Sequence, residues 1–284
     1  MEMPTFDVYE ACGLERPREA LGGQLRVWSA ATPEKVSPKR LRPGILIFPG
    51  GGYRYTSPRE AEPVALRFLA RGFVPFVLDY SCAPSGFPVS LRETAMAMRF
   101  IRENAQRFEV NPHMVAALGF SAGGHLCGCL GTLFDSPEVS DIAPAETLRP
   151  DALGLCYPVA VSWGRTHDDS FAALTQGDAV LRGRLSLEKL VRPDMPPVFL
   201  WHTRDDGSVS VRNSLILSQA LDEKGVDFAM HIYRSGRHGL STADPMSCAA
   251  TILQGISGDL PGWVEEMIRF LAEKGFAVQD CAEA

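Results

Sequence analysis

Short apolar runs alternate along this chain with longer segments whose apolar positions recur every three to four residues. Leu25–Ala30, Gly44–Phe48, Phe73–Tyr80, Met114–Leu118, Ala152–Tyr157, Val198–His202 and Phe228–Tyr233 have the length and content of strands. Glu60–Arg71, Leu91–Phe108, Ala122–Phe134, Val211–Lys224 and Gly262–Lys274 read as helices, and in the second of these Leu91, Ala95, Met98 and Ile101 fall on one face. Strands that take turns with crossover helices predict an α/β architecture, a mostly parallel sheet covered on both faces. Ligands of such sheets bind beyond the carboxyl ends of the strands.

The rhythm breaks between about Val159 and Pro197. This stretch holds Trp163, the polar cluster His167-Asp168-Asp169, and the Pro193–Pro197 segment. It is too short for an independent domain and reads as an insertion over the strand ends, a lid or substrate wall, with a plain surface excursion as the alternative. There are no repeats and no low-complexity linker, so residues 1–284 are expected to form a single domain.

Composition narrows the functional classes. A hydrophobic content of 45% suits a sizeable core, and a net charge of −6 without a long basic run argues against nucleic-acid binding. No apolar segment approaches the roughly 18 residues needed to span a bilayer. The start of the chain lacks a basic segment followed by an apolar one, so a cytoplasmic location is expected. The seven cysteines are scattered through core-like segments. Cys127 and Cys129, two apart on a helix, face different directions, and no second Cys/His pair at zinc spacing accompanies them. Buried thiols in a reducing compartment are expected, and no metal.

The chemistry concentrates in Gly119-Phe120-Ser121-Ala122-Gly123, a G-x-S-x-G run between a predicted strand and a predicted helix. A serine at such a turn projects its hydroxyl above the sheet, and its neighbours two positions away must be small for the backbones to pass. The amide of Ala122 then points at the reacting carbonyl. A serine nucleophile needs a base, and the base needs an acid, in the expected chain order Ser, Asp or Glu, His. Of six histidines, only His202, His231 and His238 lie well downstream. His231 sits inside a predicted strand. His238 sits in the loop Ser235-Gly236-Arg237-His238-Gly239 just after it and is the best base. The acid is expected after Val198–His202, where Asp205 and Asp206 compete and spacing does not choose. The aspartate left over would cap the following helix or pair with an arginine, and His202 would hold the acid loop. Pro49-Gly50-Gly51-Gly52-Tyr53 ends an early strand with three glycines, lacks P-loop and dinucleotide spacing, and suits an oxyanion loop.

These residues carry a family resemblance. Pro49-Gly50-Gly51-Gly52-Tyr53 resembles the HGGG motif of α/β-hydrolase esterases. Asp79-Tyr80-Ser81-Cys82-Ala83-Pro84 is similar to the Tyr-Arg-Leu-Ala-Pro segment of the hormone-sensitive-lipase-like group. Gly119 to Leu126, GFSAGGHL, is similar to the elbow of that group and of acetylxylan and feruloyl esterase-like proteins. The likeness resumes at Ser186–Leu190, runs from Pro196 to Leu215 and closes at Gly236–Leu240.

The resemblance implies the α/β-hydrolase fold and a serine carboxylesterase without cofactor. It places the acid at Asp206, because Val209 follows three positions later, and the oxyanion amides at Gly51, Gly52 and Ala122. Tyr53, Trp163 and Trp201 are candidates for a sugar site, although the core suits Trp201 better. Proline replaces the usual histidine before the glycines, and Ser81 stands where arginine is common. The expected substrate is a small ester with a short acyl group, acetyl above all, on a sugar or xylo-oligosaccharide. A prolyl-oligopeptidase-like peptidase and a non-catalytic binding protein of the same fold are the alternatives. The former usually carries a large extra domain, and the latter usually lacks a catalytic residue. The oligomeric state is left open, a homo-oligomer included.

Overall fold

A computed structural model describes residues 3–29 and 40–280. Ala30, the end of the first predicted strand, and the tail Cys281–Ala284 lie outside the described residues. The strands are β1 (Thr5–Asp7), β2 (Gln24–Val27), β3 (Arg40–Phe48), β4 (Val74–Asp79), β5 (Val110–Phe120), β6 (Ala152–Cys156), β7 (Val198–Thr203), β8 (Phe228–Tyr233) and β9 (Gln279–Asp280). They form one sheet in the order β1-β2-β4-β3-β5-β6-β7-β8, with β9 paired to β3. From β4 to β8 every neighbouring pair is parallel, while β1, β2 and β9 join antiparallel. This is the α/β-hydrolase fold. All seven predicted runs are strands; β1 and β9, each too short to show a period, escape the sequence pattern.

Alternation along β3 shows how the pattern makes the layers. Ile45 and Ile47 pack on one face, with Val64 and Phe68 of the helix Glu62–Leu69 and Trp263 and Met267 of the helix Trp263–Glu273. Leu46 and Phe48 pack on the other, with Ala95, Met98 and Ile101 of the helix Val89–Glu103 and Leu126 and Leu130 of the helix Ala122–Leu133. Both faces are buried, which is why the central strands read as continuous apolar runs. The predicted helix Leu91–Phe108 ends early, at Glu103. There Asn104 Nδ2 donates to the carbonyl of Phe100 and closes the helix before the short turn Ala105–Phe108.

The parallel register carries the chain ends to one edge. Phe48 pairs with Gly119, Phe120 with Cys156, Cys156 with Trp201 and Trp201 with His231. Loops that follow β3, β5, β6, β7 and β8 therefore emerge side by side. The stretch 159–197 leaves from this edge after β6 and contains the short helices Asp168–Thr175, Ala179–Arg184 and Leu187–Leu190.

Candidate active site

Ser121 lies between the end of β5 and the helix Ala122–Leu133, with φ 53° and ψ −117°. A non-glycine residue at positive φ is strained unless its surroundings fix it, and here they do. Its amide donates to the Cys156 carbonyl at 3.0 Å, and its carbonyl accepts from Val159 N at 3.1 Å. A Cβ added at Gly119 would lie 2.1 Å from the Gly123 carbonyl oxygen, and one at Gly123 would lie 2.2 Å from that of Phe48. Strand, turn and helix thus meet backbone to backbone, and only glycine fits at either position.

Three side chains from three loops converge on this turn. His238 Nε2 is 2.8 Å from Ser121 Oγ, and His238 Nδ1 is 2.6 Å from Asp206 Oδ2. A carboxylate only accepts, so Nδ1 carries the proton and Nε2 presents its lone pair to the serine hydroxyl. Asp206 is 8% exposed, and its Oδ1 accepts from the amides of Ser208 and Val209, each at 2.9 Å. Burial alone would raise its pKa. Hydrogen bonds from His202, His238 and the Val209 amide, together with the charge of His238, outweigh burial and hold the carboxyl well below the usual range. His202 donates from Nε2 to the Val209 carbonyl at 2.9 Å, with Asp206 Oδ2 3.4 Å away, and its Nδ1 meets Ser214 Oγ at 2.7 Å. It holds the acid loop, as its sequence position suggests.

Among the described residues, Asp205 neither caps a helix nor pairs with an arginine. Its Oδ1 accepts from the Gly236 amide at 2.7 Å while Thr203 Oγ1 donates to the Gly236 carbonyl at 2.7 Å, so the acid loop pins the loop that bears His238. Two adjacent aspartates therefore face different ways: Asp206 toward the imidazole and Asp205 toward its backbone.

The glycine loop after β3 completes the edge. Gly51 and Gly52 have φ of 129° and 65° and line the same cleft as Ser121 and His238. Among the described residues, the amides of Gly51, Gly52 and Ala122 donate to no protein acceptor. Gly50 N, in contrast, donates to Glu60 Oε2 at 2.8 Å.

Tyr53 corrects one expectation. It is 2% exposed and sits behind the loop, its hydroxyl donating to His125 Nδ1 at 2.8 Å, so it does not line the cleft. Its turn at φ 57° sends the next residues outward instead, and Tyr55 is the tyrosine on the cleft wall. Trp201 is fully buried, and Trp163 is exposed but outside the cleft. Where the usual histidine is replaced, the Pro49 carbonyl accepts from Tyr80 OH at 2.6 Å. Ser81 donates from Oγ to the buried Glu93 at 2.6 Å.

Three supporting residues have no role assigned from the sequence, although His125 lies within the elbow motif. Glu60 is 2% exposed and its second oxygen, Oε1, accepts from Tyr157 OH at 2.6 Å. Tyr157 OH in turn accepts from Ser241 N at 2.9 Å, and its ring meets that of His238 edge-on at 5.1 Å between centroids. One carboxylate thereby joins the glycine loop to the histidine loop. His125, in the elbow helix, donates from Nε2 to the Leu185 carbonyl at 2.7 Å and accepts from Tyr53; burial pushes its pKa down to about 4 and keeps it neutral. It ties the glycine loop to the 159–197 stretch.

The cleft has a volume of about 240 Å³ and is bordered by Arg54, Tyr55, Arg59, His167, Asp169 and Ser208 around the residues above. His167 is half-buried; burial, then repulsion from His238, lowers its pKa. Five of the six described cysteines are buried. Among the described residues no three His, Cys, Asp or Glu side chains cluster as metal ligands would, and no helix is long and apolar enough to cross a membrane.

Comparison with known proteins gives the family of the chain. The prolyl oligopeptidase family model matches residues 97–251, which span the elbow, the acid loop and the histidine loop. The chain belongs to that family of α/β-hydrolases. A second model, BD-FAE, matches residues 32–147, the stretch that holds the glycine loop and the elbow. A solved structure, the acetyl ester-xyloside bifunctional hydrolase from Caldicellulosiruptor lactoaceticus, is 35% identical with a TM-score of 0.78 and 89% of this chain aligned to 88% of that one. Endo-1,4-beta-xylanase B of Butyrivibrio fibrisolvens is 37% identical over 70% of this chain and 33% of its own length. The acetylxylan esterase of Xylanibacter ruminicola is 28% identical over 78% of this chain and 45% of its own. This family member thus spans a third to under half of the length of these two curated relatives.

Proposed function

We propose that this chain is a serine carboxylesterase that hydrolyses short acyl esters, acetyl above all, of sugars or xylo-oligosaccharides. The observation that carries the reading is the relay Ser121–His238–Asp206, at 2.8 Å and 2.6 Å, beside the free amides of Gly51 and Gly52. Ser121 Oγ attacks the ester carbonyl as its proton passes to His238 Nε2, and Asp206 stabilises the imidazolium that forms. The amides of Gly51, Gly52 and Ala122 receive the developing oxyanion, each contributing roughly 3 kcal/mol in the transition state. The imidazolium protonates the leaving alcohol. Water then attacks the acyl-enzyme with His238 as base, releasing the acid and restoring Ser121. No cofactor takes part in these steps.

The cleft supports the substrate class. Its 240 Å³ is small beside the roughly 300–1,000 Å³ of drug-sized sites, which favours a short acyl group. Arg54, His167, Asp169 and Ser208 suit an alcohol rich in hydroxyls. His167 and Asp169 come from the 159–197 stretch, which serves as a substrate wall rather than a separate domain. The buried thiols fit a reducing compartment, so the proposal places the enzyme in the cytoplasm, acting on imported oligosaccharides.

Family membership favours one second reading, cleavage of peptides after proline. Rates on acetyl, butyryl, octanoyl and feruloyl esters, acetylated xylo-oligosaccharides and prolyl peptides test both. Acetyl esters are expected to lead, with the oligosaccharides turned over. Best rates on octanoyl esters overturn the short-acyl reading, and best rates on prolyl peptides overturn the esterase.

A further inference from the structure

Beyond the catalytic cleft, a second pocket of about 430 Å³ lies between the loop Val161–Arg165 and the helix Arg212–Glu223. Trp163 is 53% exposed there yet fixed, its indole N–H donating to Glu188 Oε1 at 2.8 Å. Leu215, 46% exposed, adds apolar surface, and Arg165 and Arg212 bring two guanidiniums to the same lining. Among the described residues, neither guanidinium has an ion-pair or hydrogen-bond partner. Other arginines of the 159–197 stretch are paired: Arg182 with Asp168, Arg184 with Glu138, Arg192 with Asp135 and Asp194. Two like charges share a concave, partly apolar pocket on a chain whose net charge is −6.

The pocket neighbours the cleft through a third hollow. Ser208 borders both the cleft and a hollow of about 190 Å³ that passes Asp206, and Arg165 borders both that hollow and the Trp163 pocket. Thr166, also on the hollow, has a buried hydroxyl oxygen without a hydrogen-bond partner among the described residues. Shared bordering residues thus set the Trp163 pocket, with Arg165 and Arg212 in its lining, one hollow away from the catalytic edge.

An exposed indole face offers apolar area to the C–H face of a sugar ring, and arginine in the lining of the same pocket suits a carboxylate. A neutral sugar would use the indole and leave both charges unmet. We propose that this pocket is an accessory subsite for a uronic-acid residue, carried on the same oligosaccharide whose acetyl ester is held at Ser121. The subsite rests on the sugar-ester reading for its link to catalysis, but its binding can be measured without an ester.

Two measurements separate the claims. The first compares kcat/KM for acetylated xylo-oligosaccharides with and without a uronic-acid branch, in the native enzyme and in Arg165→Gln/Arg212→Gln. The acidic substrate is expected to be preferred about tenfold at low salt, and the ratio should fall toward one in the double variant and at high salt. Equal kcat/KM in the native enzyme overturns the subsite and leaves the esterase standing. The second titrates ester-free acidic and neutral xylo-oligosaccharides against tryptophan fluorescence, with Trp163→Phe to assign the signal. Tighter binding of the acidic one supports the subsite; equal or no binding overturns it. If the acidic ligand binds tighter while no acetylated sugar is hydrolysed, the sugar-ester reading falls and the anionic subsite stands.

Discussion

Replacing Asp206 with asparagine tests the acid assignment at the level of single protons. The Oδ1 position of Asp206 faces two N–H donors, Ser208 and Val209, each at 2.9 Å. An asparagine would therefore set its amide oxygen there and turn its NH2 toward His238 Nδ1, 2.6 Å away in the native side chain. That nitrogen must then accept, the imidazole proton moves to Nε2, and Ser121 faces a donor instead of a base. A wrong tautomer of this kind lowers kcat by about 10³–10⁴, or roughly 4–5.5 kcal/mol. Asp205→Asn keeps an oxygen for the Gly236 amide and should cost less than about tenfold. Turnover of 4-nitrophenyl acetate, with folding followed by circular dichroism, reads both. Acid unfolding adds a second arm. The Asp206 pKa is lower folded than unfolded, so its bonds stabilise the fold fully above about pH 4 and that share is lost as pH falls through the folded value. Asp206→Asn should flatten this acid limb. If Asp205→Asn is the more damaging change, or Asp206→Asn retains more than a tenth of the activity, the assignment is wrong.

Two further predictions concern the frame. Gly123→Ala puts a methyl 2.2 Å and 2.4 Å from the carbonyl oxygens of Phe48 and Pro49, so it should lower stability by about 1–3 kcal/mol and suppress turnover. Gly183→Ala, in a helix with open space around it, should instead raise stability by about 0.5–1 kcal/mol; equal melting shifts for the two would refute the close-packing account. Glu60→Gln leaves one acceptor for the two donors Gly50 N and Tyr157 OH, and should cost about 1–3 kcal/mol and reduce kcat on a small acetyl ester with KM little changed. Unchanged kcat would show that Glu60 does not position the two loops.

The parts of this protein that repeat a period were legible in its sequence. Strands buried on both faces read as apolar runs, and their crossover helices read by spacing, so the sheet and the edge that carries Ser121 followed. The elbow was legible because its geometry forbids side chains at Gly119 and Gly123. The Gly-bracketed loop after a strand points to His238, whereas only family likeness separates Asp206 from Asp205, since spacing does not reveal which carboxylate turns inward. What stayed hidden depends on contacts far apart in the chain. Glu60 meets Tyr157 across 97 positions, and no local pattern marks that pair. Tyr53 misled for a related reason: adjacency to the glycines suggested the cleft, but its positive φ folds it back onto His125.

The central claim is that Ser121 carries the acyl group during turnover. Acid quenching of the enzyme during reaction with a short acyl ester, followed by peptide mass mapping, reads that directly. An acyl adduct on Ser121, absent when His238 is replaced by alanine, is the expected result. An adduct on another residue, or full turnover in Ser121→Ala, would contradict the account.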